Sequence, residues 1–329
     1  MPRFIRNTAI LAKVETTRGT DAGPVGTTNA VLVQNMTINP LNATNVDRAL
    51  MRPFYGASEQ LPGSAYVSVD FEVEFQSSGS MTTPTIPAWD TLLQGCMWKA
   101  GVGTAGQRVE YDPLADYTQR KYLTIYYYDD GVLHKLLAAQ GTFSLNARIG
   151  EIPKMKFNFM GIDGGISAAT PGTVTLTAWK KPTPVTEANT GAVTLGCTYS
   201  AGALSAGTEY TTTGIELDWG NKVDFNDLLG TATEAGESID ISDRNCKGKV
   251  VFDLTPAQEV SFMANVKAGT SQSIGLVHGT TAGNKMLIYA PAAQLFNPSK
   301  QEKNGRRLIG YDVTFMPVNG NDELKIVAL

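Results

Sequence analysis

Histidine is nearly absent from this 329-residue chain, which has only His134 and His278. Neither falls in H-E-x-x-H or H-x-E…P-C-x-x-C spacing, so no histidine-based metal centre is expected, and each reads as a strand residue with a local hydrogen bond. Cysteine is scarce as well. Cys96, Cys197 and Cys246 are odd in number and lack C-x-x-C spacing, which argues against a disulfide framework or a zinc site and fits a reducing cytoplasm. Charged residues make up 18% of the chain, below the roughly 25% usual for soluble proteins. Two explanations stand side by side: surface hidden in an assembly, or a Thr/Gly-rich β protein whose faces carry hydroxyls. A net charge of −4 excludes a basic, phosphate-gripping surface as the main theme. No 18 apolar residues run together, so no membrane-spanning helix is expected, and Lys13 and Glu15 interrupt the N-terminal apolar run before it could act as a signal peptide. G-x-S-x-G, G-x-x-x-x-G-K-[ST] and strand-linked G-x-G-x-x-G motifs are all missing, so the expectation is no enzyme, no cofactor and no bound metal. Gly275–Asn284 reads as a glycine-rich turn. Asp129-Asp130 and Asp163-Gly164-Gly165 offer too few oxygens for calcium and also read as turns.

What remains is a mainly β chain. Residues 66–76, YVSVDFEVEFQ, alternate with Val67, Val69, Phe71, Val73 and Phe75 on one face and Ser68, Asp70, Glu72 and Glu74 on the other, which marks a half-buried strand. Further strands are expected over 30–40, 121–128, 132–139, 142–148 and 153–162, with Asp130-Gly131 as a hairpin turn. A helix is expected over 88–99, after Pro84 and Pro87 and before Gly101. A second fits 255–268, with Thr255 as N-cap, Pro256 at the first position and Gly269 as stop. In the second half, strands over 213–225 and 247–254, that helix, a hairpin of 274–278 with 285–290 and a strand over 306–318 repeat the order of the first. KMKFNFM and GYDVTFM end alike, and the offsets run from about 180 down to about 155 residues. The length suggests two domains: 1–167, a linker over 168–190, and 191–329. The excess acid sits in the second half: residues 1–162 hold 14 basic and 14 acidic groups, and 163–329 hold 13 and 17.

Two features ask for an explanation. Asp70, Glu72 and Glu74 lie about 7 Å apart on one strand face and repel unless screened or paired. Lys154, Lys156 or Arg148 could supply cross-strand partners on a solvated face. Alternatively, the face lines a water-filled passage, with Glu216, Asp218, Asp253 and Asp312 as its counterparts in the second half. The other feature is the segment 42–64 between two strands that should pair, which carries Asp47, Arg48, Met51, Arg52, Phe54 and Tyr55 and reads as an interaction arm. Its counterpart, 228–245, is shorter and more acidic.

The opening ILAKVETTRGTDAGPVGTTNAVLVQNMTINP, the arm NVDRALMRPFYGASEQLPGS, the hairpin YYYDDGVLHKLLAAQGTFSL and the ending APAAQLFNPS…NGNDELKIVAL together resemble the tail tube (major tail) proteins of long-tailed bacteriophages. The resemblance implies two tandem β-sandwich or barrel domains, each with one flanking helix. It implies a virion structural protein, assembled in the host cytoplasm, whose trimeric rings stack into a tube that DNA crosses without specific binding. Tape-measure, tail-terminator or distal tail proteins would be its partners, and no membrane is involved. Under it, Asp70, Glu72, Glu74, Glu216, Asp218, Asp253 and Asp312 would line the lumen, and Asp47, Arg48, Met51, Arg52, Phe54 and Tyr55 would make the ring-stacking contact. The doubled chain resembles flexible, non-contractile tails, with the inner tube of a contractile tail as an alternative. A carbohydrate-binding or adhesin-like β-sandwich is the competitor from another class, with Tyr126, Tyr127 and Tyr128 as its available aromatics.

Overall fold

A computed structural model describes residues 4, 7–80, 85–104, 107–229 and 237–329. In chain order the first half forms β1 (Thr8–Val14), β2 (Ala30–Val31), β3 (Gln34–Asp47), β4 (Gln60–Glu74), α1 (Asp90–Gln94), β5 (Val102–Thr104), β6 (Arg108–Tyr111), β7 (Leu123–Asp129), β8 (Val132–Arg148) and β9 (Lys154–Ala168). The second half begins with β10 (Val193–Leu195), β11 (Thr198–Ser200), β12 (Ala203–Ser205), β13 (Thr208–Tyr210), β14 (Thr212–Asp218), β15 (Asn221–Asn226), β16 (Ser238–Arg244) and β17 (Lys247–Phe252). It continues with α2 (Pro256–Ala268), β18 (Ser271–His278), β19 (Met286–Lys303), β20 (Arg306–Met316) and β21 (Lys325–Ala328). Among the described residues all the strand pairings are antiparallel, and seventeen strands join in one sheet around a shared core.

The alternating strand lies where its pattern puts it: Val67, Val69, Phe71, Val73 and Phe75 are buried, while Asp70, Glu72 and Glu74 are half exposed. Phe71 stacks on Phe157 and Phe159 of β9 with ring centroids 5.9 Å apart. The strands expected over 132–139 and 142–148 are a single 17-residue strand, β8, which carries a bulge next to Ala138 (φ 49°). This strand pairs with β9 along most of its length, while its other edge pairs first with β7 and, at its end, with β14. β19 pairs with β18 and β21 in its first half and with β20 from Ala292 to Lys303.

The two helices differ in how closely they follow expectation. α2 runs from Pro256 to Ala268, with Thr255 and Gln258 forming a reciprocal capping box and Gly269 closing it in the left-handed region at φ 66°. The helix expected over 88–99 is a single turn, Asp90–Gln94. The chain leaves it because Met97 adopts φ 66° and Trp98 turns inward, fully buried against Trp219 at 4.7 Å and Phe143 at 5.9 Å. Pro84, expected to open that helix, lies outside the described residues. The strand expected over 213–225 is interrupted at Trp219-Gly220, giving β14 and β15.

The halves meet along two hydrogen-bonded seams. β14 of the second half pairs with the end of β8, from Gly214 opposite Arg148 to Asp218 opposite Ser144, and β21 pairs with β6. Gly214 makes the first seam possible: φ is +126°, and a Cβ there would lie 2.1 Å from the Ala147 carbonyl oxygen. Beyond β14, Trp219 is fully buried among first-half residues; its ring nitrogen donates to the Cys96 carbonyl at 3.1 Å, and Arg244 lies 4.6 Å above it. Residues 169–192 form no strand yet are tied down, Trp179 donating to the Ala30 carbonyl at 3.0 Å and Val185 bonding Glu151 and Gly150.

At the β6–β21 seam, Glu110 accepts from Tyr199 at 2.6 Å, Arg108 at 2.5 Å and Lys325 at 3.3 Å. Burial raises its pKa, but the bonds from Tyr199 and Arg108 and the Lys325 charge outweigh this and hold it below the ordinary 4.5. A lowered carboxylate contributes stability that is present above its unfolded value and lost as pH falls through its folded value. Glu110→Gln is therefore expected to cost about 1–2 kcal/mol near neutral pH. The cost should shrink as pH drops below 4.5, measured as denaturation midpoints of both proteins across the acid range.

Candidate functional site

Eight strands lie side by side in the order β3–β4–β9–β8–β14–β17–β20–β19, running without a break from the first half into the second. Directly opposed residues of an antiparallel sheet share a face. The registers therefore draw straight rows across the polar side. One row reads Glu74, Lys154, Asn146, Glu216, Lys249, Asp312. The next reads Glu72, Lys156, Ser144, Asp218, Lys247, Thr314. Acid and lysine thus stand opposite each other across the β4–β9, β14–β17 and β17–β20 pairs, and a third row sets Asp70 beside Asn158 and Thr142.

Cross-strand partners satisfy the three clustered acids. Asn158 donates to Asp70 at 2.9 Å, Asn35 to Glu72 at 2.9 Å and Gln34 to Glu74 at 3.1 Å, while Lys154 lies 3.4 Å from Glu72. Arg148, expected as a partner of these acids, instead forms an ion pair across the seam with Glu216. Asn297 donates to Asp312 at 3.1 Å. Asp253 stands outside the rows, beyond the end of β17, and pairs with Arg306 at 2.7 Å. The acid alternation therefore traced half of this face. Lys154, Lys156, Lys247 and Lys249 complete it, so the rows set four lysines among the six carboxylates Asp70, Glu72, Glu74, Glu216, Asp218 and Asp312. Two depressions open on it, of about 630 Å3 against β3, β4, β8 and β9 and about 340 Å3 against β8, β14 and β17.

The second feature differs from the expected loop. β3 continues to Asp47 and β4 starts at Gln60, so the arm is a long β-hairpin whose irregular tip is only residues 48–59. Arg48 and Glu59 form an ion pair at the base of the tip. Met51 and Tyr55 are fully exposed and Phe54 largely so, with the Arg52 guanidinium 5.9 Å from the Phe54 ring centre. These side chains do not fold back onto the core. The counterpart in the second half is the hairpin β15–β16, with residues 230–236 outside the described residues. It leans on the first half, where Phe225 packs 5.2 Å from Tyr66 and Asp240 lies 3.4 Å from both Arg18 and Arg120.

Among the described residues no cluster of His, Cys, Asp and Glu is arranged to hold a metal, and no helix is long and apolar enough to cross a membrane. The Nε2–H of His278 donates to the Thr183 carbonyl at 3.0 Å, its Nδ1 accepts from Thr190 at 2.8 Å, and burial pushes its pKa down. All three cysteines are buried, and burial raises the Cys96 and Cys246 thiols far above the ordinary value. Tyr126, Tyr127 and Tyr128 are each less than a tenth exposed, which leaves no flat aromatic platform for a sugar.

The fold thus presents a sheet face on which carboxylates and lysines interleave, together with a projecting hairpin. The phage tail tube protein family model matches residues 5–317, and the chain belongs to that family. Its role is that of a structural tail tube protein of the phage virion. No curated protein matches the chain.

Proposed function

We propose that this chain polymerises into rings of three copies, stacked to form the tube of a long, non-contractile tail, and that DNA crosses the bore during ejection. The two tandem units, residues 1–167 and 191–329 joined by 168–190, would give each ring pseudo-sixfold symmetry. Assembly takes place in the host cytoplasm, with tape-measure and tail-terminator or distal tail proteins as partners. The eight-stranded polar face, unbroken from the first half into the second, is the observation that supports this reading best, because its interleaved carboxylates and lysines suit the surface chemistry of an inner wall. Asp70, Glu72, Glu74, Glu216, Asp218 and Asp312 face the bore, with Asp253 at its margin. Each lysine there stands opposite a carboxylate, so a passing phosphate gains little by displacing the partner. DNA is neither held by bare cations nor excluded by bare anions. The tip residues Asp47, Arg48, Met51, Arg52, Phe54 and Tyr55 supply the contact between stacked rings.

Lysine replacements at Asp70, Glu72 and Glu74 would set like charges against Lys154 and Lys156 and disturb the sheet itself. Neutral replacements test the bore more cleanly. A variant carrying Glu72→Gln, Glu74→Gln, Glu216→Gln, Asp218→Asn and Asp312→Asn should still form tubes of normal length. Its four unopposed lysines should slow DNA ejection in vitro by about tenfold or more, with the deficit shrinking as salt rises. An unchanged ejection rate from normal tubes would place this face away from the bore.

A further inference from the structure

We infer that a cavity at the base of the β15–β16 hairpin is a binding site for a protonated alkylamine, a ligand that neither the polar sheet face nor the arm tip involves. The cavity measures about 390 Å3 and lies where three segments meet: the turn after α1, the end of β16, and the chain that leaves β20. Glu323, Asp243 and Arg244 form its polar wall, and Met97, Phe315 and Pro317 an apolar one.

The polar wall is one donor short. Glu323 is only 5% exposed; its Oε1 forms an ion pair with Arg244, while its buried Oε2 accepts from no group among the described residues. A buried carboxylate oxygen left without a donor is costly, which makes it a place where a ligand gains. Arg244 is already committed, with Nε on Glu323, Nη2 donating to Asn321 at 2.9 Å and its plane against Trp219. Asp243 adds a second carboxylate without a cation. It opposes Lys222 in the β15–β16 register, yet the Lys222 Nζ turns to Asp224 at 3.3 Å. Among the described residues Asp243 accepts only the Arg244 backbone N–H, at 2.8 Å. Two carboxylates against one guanidinium leave the cavity with one negative charge in excess.

The missing partner is therefore a cation that carries N–H donors. A calcium-like ion takes about six or more oxygens, and two carboxylates beside an apolar wall do not supply them. An alkylammonium suits both walls: its three N–H groups can bond Glu323 and Asp243, and its methylenes bury against Met97, Phe315 and Pro317. The bound amine ties Asp243 of the hairpin to Glu323 of the C-terminal segment and so stiffens the hairpin's base.

The experiment titrates the purified full chain with n-pentylamine near neutral pH and at constant ionic strength, read by the thermal midpoint and by tryptophan fluorescence, since Trp219 lies against Arg244. The expected result is a saturable rise in midpoint at millimolar amine, which 1-pentanol, with the same chain and no charge, does not give. Asp243 is exposed, so Asp243→Asn should fold as wild type does and weaken binding by about fivefold. Glu323→Gln should remove the saturable phase altogether. Nα-acetyl-lysine N-methylamide separates the two sources of such an amine: binding as tight as that of pentylamine assigns the site to a lysine side chain of another protein, and much weaker binding assigns it to a free small amine. Equal responses to pentylamine and 1-pentanol, or a pentylamine response unchanged in Asp243→Asn and Glu323→Gln, would overturn the site.

Discussion

Trp219→Ala is expected to lower the unfolding free energy by about 3–5 kcal/mol, the range for removing a large aromatic from a packed core. Trp219 belongs to the second half by sequence, but its ring is fully buried among Trp98, Phe143 and Cys96 of the first. Its loss opens a cavity, removes the bond to the Cys96 carbonyl and uncovers one side of the buried Arg244–Glu323 ion pair. Trp219→Phe keeps most of the volume and loses the hydrogen bond, so about 1–2 kcal/mol is expected. Denaturant titrations followed by far-ultraviolet circular dichroism would measure both. Because the core is continuous across the seam, a single transition should move as a whole. Two transitions with only one displaced would show that the halves unfold independently and that the ring does not couple them.

Removing the arm tip should have the opposite profile: little effect on the fold and loss of assembly. Replacing residues 48–59 with an Asn-Gly turn joins Asp47 to Gln60, which already pair, and such a turn suits a two-residue hairpin. Nothing in the core is touched, so the thermal midpoint should stay within about 2 °C of wild type. Met51, Phe54 and Tyr55 would be gone, and with them the exposed apolar surface that a soluble monomer has no reason to display. The shortened chain should yield folded protein and single rings, with no stacks visible by electron microscopy or as fast-sedimenting material. Full-length tubes from this variant would remove the arm from ring stacking.

Local periodicity made much of this architecture legible, and long-range pairing accounts for the rest. Val67 to Phe75 announce their strand because burial on one face enforces a period of two, and Thr255, Pro256, Gln258 and Gly269 announce α2 because caps are local chemistry. The 88–99 segment has the apolar stripe of a helix, yet tertiary packing draws Trp98 into the core through the left-handed Met97, and one turn survives. Gln140-Gly141 reads as a break between strands, but β8 continues through a bulge there, since hydrogen bonds to β9 are available on both sides of it. For the polar face, the acids of β4 stood out as three in a row. Lys247 and Lys249 carry the same alternation with two charges instead of three, a weaker local signal. What no single-chain pattern encodes is register: only the β8–β14 seam places Glu216 and Asp218 in line with Asn146 and Ser144, and so turns separate patches into one face. Similarly, the length of segment 42–64 marked an arm, while its continuation as a hairpin depends on pairing between Asn42–Asp47 and Gln60–Tyr66.

Negative-stain electron microscopy of the purified chain, concentrated alone and again with preformed tail-tip seeds, tests the central claim most directly. Hollow filaments with a regular axial repeat are the predicted result, and an internal channel wide enough for duplex DNA should run along them. Compact particles that stay dispersed at every concentration, with and without seeds, would contradict the account of this chain as a self-assembling tube.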